Sequence, residues 1–154
     1  MKISKRRIEF TVVGLIAVSL AGVAIAQDAA ANITARKNDM RTIQANMLIV
    51  NDKAGKRDLP AAKEAAGKLN AAFKDLATRF TPGSGSSAGA GATRAKDDIF
   101  ANPAAFKAKL DHAIDLTDKV VTATNGTDPL AAQLAIGEVN ALCADCHGTF
   151  RSGG

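Results

Sequence analysis

Beyond residue 30 the apolar side chains recur at steps of three and four, and no stretch alternates with a period of two. That spacing puts them on one face of an α-helix and leaves no pattern for a half-buried strand. In the first such segment Ile33, Met40, Ile43, Met47 and Val50 fall on one stripe, with Arg36 on the same face, and Gly55 closes it. Asp58 caps the second, and Pro60 stands in its first turn, where a missing N–H costs nothing. Its stripe is Ala62, Ala66, Leu69, Phe73, Leu76 and Phe80. Asn102-Pro103 opens a third, with Phe106, Leu110, Ala113, Ile114 and Val121 toward the core and an end near Asn125-Gly126. Asp128-Pro129 opens the fourth, which carries Leu134, Val139, Leu142, Cys146 and Phe150. Residues 81–92 are too rich in Gly, Ser and Ala for either regular element. Four segments of about twenty residues, each about 30 Å long, joined by short turns and one longer loop, predict an all-α, antiparallel four-helix bundle.

The first 26 residues stand apart from this pattern. Lys2, Lys5, Arg6 and Arg7 make a basic patch, Phe10 to Ala26 carries no charge, and Ala24-Ile25-Ala26 offers small residues at a cleavage site. That order is a secretory signal of the general export type, with residues 27–154 as the mature domain. An uncleaved anchor is the rival, since seventeen uncharged residues reach the lower limit of a membrane span. Cleavage is favoured because several of those residues are Gly, Ser, Thr or Ala, and it leaves a periplasmic protein with no stable membrane span.

Charge then excludes one class of partner. Residues 1–26 hold four of the twenty basic residues and one of the fifteen acidic ones, so sixteen face fourteen in the remainder. No run of Lys and Arg interleaved with aromatics is left to bind nucleic acid. The remainder also has five Phe but neither Trp nor Tyr, and many Ala at core positions. Small side chains there are expected to leave volume for something else to fill.

Both cysteines and one of the two histidines lie within five residues near the end: Cys143, Cys146 and His147. Three and four residues apart on a helix, they project to one side. C-x-x-C-H is the attachment pattern of haem c. Two thiols reach the two vinyl groups of one porphyrin, and the adjacent imidazole reaches the iron. A thioredoxin-like disulfide belongs beside a βαβ pattern, which this chain lacks. A structural zinc site needs a fourth ligand, and His112 lies far off on a polar part of its helix.

On these residues the chain resembles the class II cytochromes c, the family of cytochrome c′ and its low-spin, methionine-ligated relatives. The likeness spans residues 30–152. It rests on the C-x-x-C-H close to the end with Phe150-Arg151 after it, and on Ala35-Arg36 with Met40 four residues on. Thr93-Arg94-Ala95-Lys96 and Asn102-Pro103 before Phe106 add to it. The resemblance implies a four-helix bundle holding one covalent haem c per chain, with His147 as the fifth iron ligand and the first helix across the opposite haem face. In the low-spin branch the methionine matching Met40 is the sixth ligand. In the high-spin branch that face is open or crowded by an apolar residue.

The expectation drawn is a periplasmic mono-haem electron carrier, not an enzyme, ligated by His147 and Met40 and exchanging single electrons with redox partner proteins as a monomer or homodimer. Met47 is a core filler. Arg36, one turn before Met40, pairs with a haem propionate or else is a solvated surface arginine; Arg94 and Arg151 are weaker candidates for that pairing. Lys37 and Phe100 depart from the family's frequent Gln and Trp. His112 is exposed and unligated. Two alternatives stand: a high-spin protein binding nitric oxide or carbon monoxide at an open distal site, and a haem-free helical protein with a redox disulfide.

Overall fold

The computed structural model describes residues 9–153, with side chains from residue 28 onward. The signal-sequence reading falls on residues 1–26, whose side chains lie outside the described residues. Five helices follow in order: α1 (Glu9–Gly55), α2 (Leu59–Ala77), α3 (Asp98–Ala101), α4 (Pro103–Asn125) and α5 (Pro129–Phe150). Four of them build the bundle. α1 packs on α2, α2 on α4, α4 on α5, and α5 returns to α1, which closes the square. Among the described residues no helix is long and apolar enough to cross a membrane.

The turns at one end follow the sequence signals closely. Asp58 accepts a hydrogen bond from the Ala61 N–H at 3.2 Å, and Asp128 accepts one from the Leu130 N–H at 2.9 Å. Each carboxylate satisfies a backbone donor that the first turn leaves without an intrahelical partner. Arg57 takes φ 62° to turn the chain between α1 and α2. Asn102 occupies the N-cap of α4 without a side-chain cap bond, and Pro103 starts the helix.

Packing corrects the stripes in detail. On α5 the buried set is Ala132, Ile136, Val139 and Phe150, while Leu134 is 64 % exposed. Leu134 lies two residues from both Ala132 and Ile136, which turns it about 200° away from them. On α4 the core takes Leu116, Thr117, Val120 and Thr124, and Val121 is only half-buried. The two threonines can be buried because their hydroxyls donate back to the Ile114 and Val120 carbonyls at 2.9 and 3.0 Å. Hydroxyls satisfied within their own helix do not carry the cost of an unpaired buried polar group.

The expected spare volume is absent around Ala62, Ala66 and Ala132, each of which has no accessible surface at all. These alanines let helices close on one another instead. Leu69, Leu76, Val50, Val120 and Val139 are fully covered and form the centre of the core. Each such side chain stabilises the fold by about 1.5–3 kcal/mol relative to exposure.

The second departure is the long connection. Phe80 lies past the end of α2, and the glycine-rich segment that follows is irregular up to the single turn of α3, which periodicity did not indicate. The segment is nonetheless fixed: Ser84 has no accessible surface. Gly85 passes so close to Asp97 and Phe100 that an added Cβ would meet their side chains at 2.2 and 3.0 Å.

Candidate functional site

The last two turns of α5 carry Cys143, Cys146 and His147, all half-buried. Both cysteines are free thiols. Burial pushes the Cys143 thiol up, and the Cys146 thiol rises for the same reason, with Cys143 and Asp145 adding to it. His147 is shifted the other way, first by burial and then by the positive charge of Arg151. The turn therefore presents two protonated sulfurs and a neutral imidazole with a free lone pair, the form that binds a metal.

That donor set suits a porphyrin better than a bare ion. Among the described residues no three His, Cys, Asp or Glu side chains converge on one point. One nitrogen with two apolar-facing thiols can hold an iron that brings its own macrocycle, the thiols closing thioethers and the imidazole binding the metal.

The turn is held from outside the helix. The Lys96 N–H donates to the Phe150 carbonyl and the Lys96 ammonium to the Thr149 carbonyl, both at 3.0 Å. Ala95 pairs antiparallel with Arg151, and the Ser152 N–H donates to the Arg94 carbonyl at 2.8 Å. The Arg94 guanidinium donates to the Ser152 and Gly153 carbonyls at 3.2 and 2.9 Å. Lys109 of α4 forms an ion pair with Asp145. In this way residues 94–96 take up carbonyls that the C-terminus of α5 leaves without helical donors.

Arg36 is buried, at 5 % exposure, so the surface-arginine alternative is ruled out. Its Nη1 donates to the Ser84 hydroxyl at 3.1 Å, and its Nη2 to the Ser84 carbonyl at 2.9 Å and the Thr93 hydroxyl at 2.8 Å. Its guanidinium also lies 4.6 Å from the centre of the Phe80 ring. Phe80 meets Phe106 edge-on at 4.4 Å, and Phe106 meets Phe150 at 5.1 Å. One residue from each side of the square thus closes this end of the bundle. Among the described residues no carboxylate lies within ion-pair distance of Arg36. A buried cation held only by neutral acceptors leaves the charge of an added carboxylate, such as a propionate, electrostatically welcome.

Met40 is half-buried one turn beyond Arg36 and packs on the same core cluster as Cys143 and Cys146. Met47 packs there too, as a filler should. His112 is exposed. Arg94 directs its guanidinium to backbone carbonyls, Arg151 is half-buried, Lys37 is exposed and Phe100 is half-buried. Sequence reasoning missed Ser84, because a serine in a glycine-rich run carries no periodic signal, and it placed Phe80 on the second stripe without the contact to Arg36, which joins distant parts of the chain.

A sequence model described as Cytochrome C′ matches residues 31–151 of the chain. The chain belongs to the cytochrome c′ family. Members of this family carry covalently attached haem c with its iron, and Cys143 and Cys146 stand here in a C-x-x-C-H pattern. Solved structures agree on the fold. Cytochrome c′ from Rubrivivax gelatinosus is 26% identical, with 79% of this chain and 94% of that one covered at a TM-score of 0.71. The protein from Thermochromatium tepidum is 21% identical, covering 80% and 95% at 0.73. A nitric oxide complex of a variant from Alcaligenes xylosoxidans is 20% identical, covering 78% and 93% at 0.69. No curated protein sequence matches the chain.

Proposed function

We propose that this chain is an exported haem c protein in which His147 would hold the iron and the iron would bind a small diatomic gas. Cys143 and Cys146 act first. Each S–H would add across one vinyl C=C of the haem, sulfur to carbon and hydrogen to the neighbouring carbon, so that the cofactor would be retained outside the cytoplasm. Haem supplies an iron centre that changes by one electron and accepts a diatomic ligand. His147 would hold it in the neutral form that burial and Arg151 favour. Arg36 stands buried, with no carboxylate at ion-pair distance among the described residues, and would receive a propionate. The single observation that carries the reading is the half-buried C-x-x-C-H turn on one face of α5.

The gas-binding choice is supported by membership of the cytochrome c′ family, by the nitric oxide complex of the Alcaligenes xylosoxidans relative, and by Met40 packing among core side chains. A methionine so placed fills space, as methionine most often does. The His147/Met40 electron carrier is the second reading, favoured by one fact: Met40 is on the Arg36 stripe of α1 and packs against the same core cluster as Cys143 and Cys146. Export through a leader ending at Ala26, a periplasmic location, redox partner proteins and a monomer or homodimer belong to both readings.

Visible spectra of the purified holoprotein separate them. A five-coordinate high-spin ferric spectrum, with rapid carbon monoxide uptake after reduction, is the expected result. A far-red methionine-to-iron band with slow uptake moves the assignment to the electron carrier.

A further inference from the structure

The buried guanidinium on α1 and the segment that grips the turn of α5 bearing His147 meet at a single side-chain hydroxyl. The Thr93 Oγ1 accepts from Arg36 at 2.8 Å and from the Ala95 N–H at 3.2 Å. Ala95 stands opposite Arg151, and the bonds across the pair are made by its neighbours: the Lys96 N–H donates to the Phe150 carbonyl at 3.0 Å and the Ser152 N–H to the Arg94 carbonyl at 2.8 Å, while the Arg151 N–H turns back to the His147 carbonyl at 3.2 Å. The flanking bonds of Arg94 and Lys96 keep this pairing in register, since both ends of the segment grip the same turn.

We propose that Thr93 is a positioning residue: through the backbone bonds of Arg94 and Lys96 it holds the turn bearing His147 relative to Arg36, and so would set the orientation of the imidazole toward a haem iron. The proposal rests on the haem reading above. A hydroxyl that accepts from Arg36 while also accepting from the amide two residues on ties the 93–96 segment to the buried guanidinium, which a methyl group cannot do. Arg36 makes the hold rigid, because its planar fork is also fixed by the oxygens of Ser84 and by the ring of Phe80. Side chains locked in this way orient the group that binds the metal as much as the ligand itself does.

The test compares Thr93→Val, which keeps the shape and loses the hydroxyl, with Thr93→Ser, which keeps the hydroxyl. In the ferrous holoprotein the iron–histidine stretching band is read by resonance Raman spectroscopy, and amide hydrogen exchange is followed at Ala95 and Arg151. Thr93→Val is expected to shift the band and to speed exchange at both amides several-fold, while Thr93→Ser returns both toward the parent. A Thr93→Val band identical to the parent's overturns the proposal. Should Thr93→Val fail to fold, Ser152→Pro removes the donor to the Arg94 carbonyl and reads the same band from the other end of the link: a shifted band supports the proposal, and an unchanged one overturns it. An intact mass without haem overturns the haem reading and the positioning role together. It is recognised before any spectrum is taken, and the amide exchange still reports on the link.

Discussion

The two ends of this bundle are built on different principles. At one end α1 meets α2 and α4 meets α5 through tight turns, each capped by an aspartate, over fully covered Val50, Ala62, Val120 and Ala132. The charges nearby are exposed pairs such as Lys56 with Asp52 and Lys119 with Glu138. At the other end a long irregular segment wraps a buried cation, three phenylalanines meet edge-on, and two thiols and an imidazole stand half-covered. The first end serves stability. The second keeps groups that a self-sufficient core would not choose, and such violations collect where a protein binds something.

The contrast can be broken by substitution, and the effects should fall in a set order. Cys143→Ser with Cys146→Ser removes both attachment sulfurs; mass spectrometry of the purified chain is expected to show complete loss of covalent haem, with helical circular dichroism largely kept. Retention of a haem mass in that variant contradicts the assignment. Leu69→Ala, in the common core between the two ends, should cost about 2–5 kcal/mol in denaturant unfolding while leaving the visible spectrum in place. A spectrum that changes as much as the stability would erase the proposed division of labour.

Arg36→Met should act at one end only. It strips donors from the Ser84 and Thr93 oxygens, for about 1–3 kcal/mol of stability, and it removes a positive charge that favours the less positive reduced state. Redox titration is expected to give a lower midpoint potential than the parent, and an unchanged or higher value counts against Arg36 as the propionate partner. Asp58→Ala is the smallest change, about 0.5–2 kcal/mol for a lost N-cap, and it should leave potential, spectrum and gas uptake at parent values. Movement in any of those three would show that the two ends are not independent.

Legibility in the sequence follows the same division. The four long helices, their starts at Pro60, Pro103 and Pro129, and the C-x-x-C-H turn were readable because caps, prolines and periods of three and four are local signals. The outward face of Leu134 and the burial of Thr117 and Thr124 were not, since a stripe read by hydrophobicity favours the largest apolar residues and passes over hydroxyls that satisfy themselves. Arg36 was singled out as a charge on an apolar face. Its actual partners, Ser84 and Thr93, lie 48 and 57 residues away, and no local pattern links positions so far apart in the chain. The short helix Asp98–Ala101 is a single turn, too brief for any period to register.

The central claim is that the final helix is joined covalently to one haem through Cys143 and Cys146, with His147 on the iron. Intact mass and the visible spectrum of protein purified from a host competent in cytochrome c maturation test it together, after acid–acetone extraction of any loosely held haem. The account predicts a chain heavier by one haem that stays coloured through extraction. A colourless chain whose two cysteines both react with a thiol reagent would contradict it.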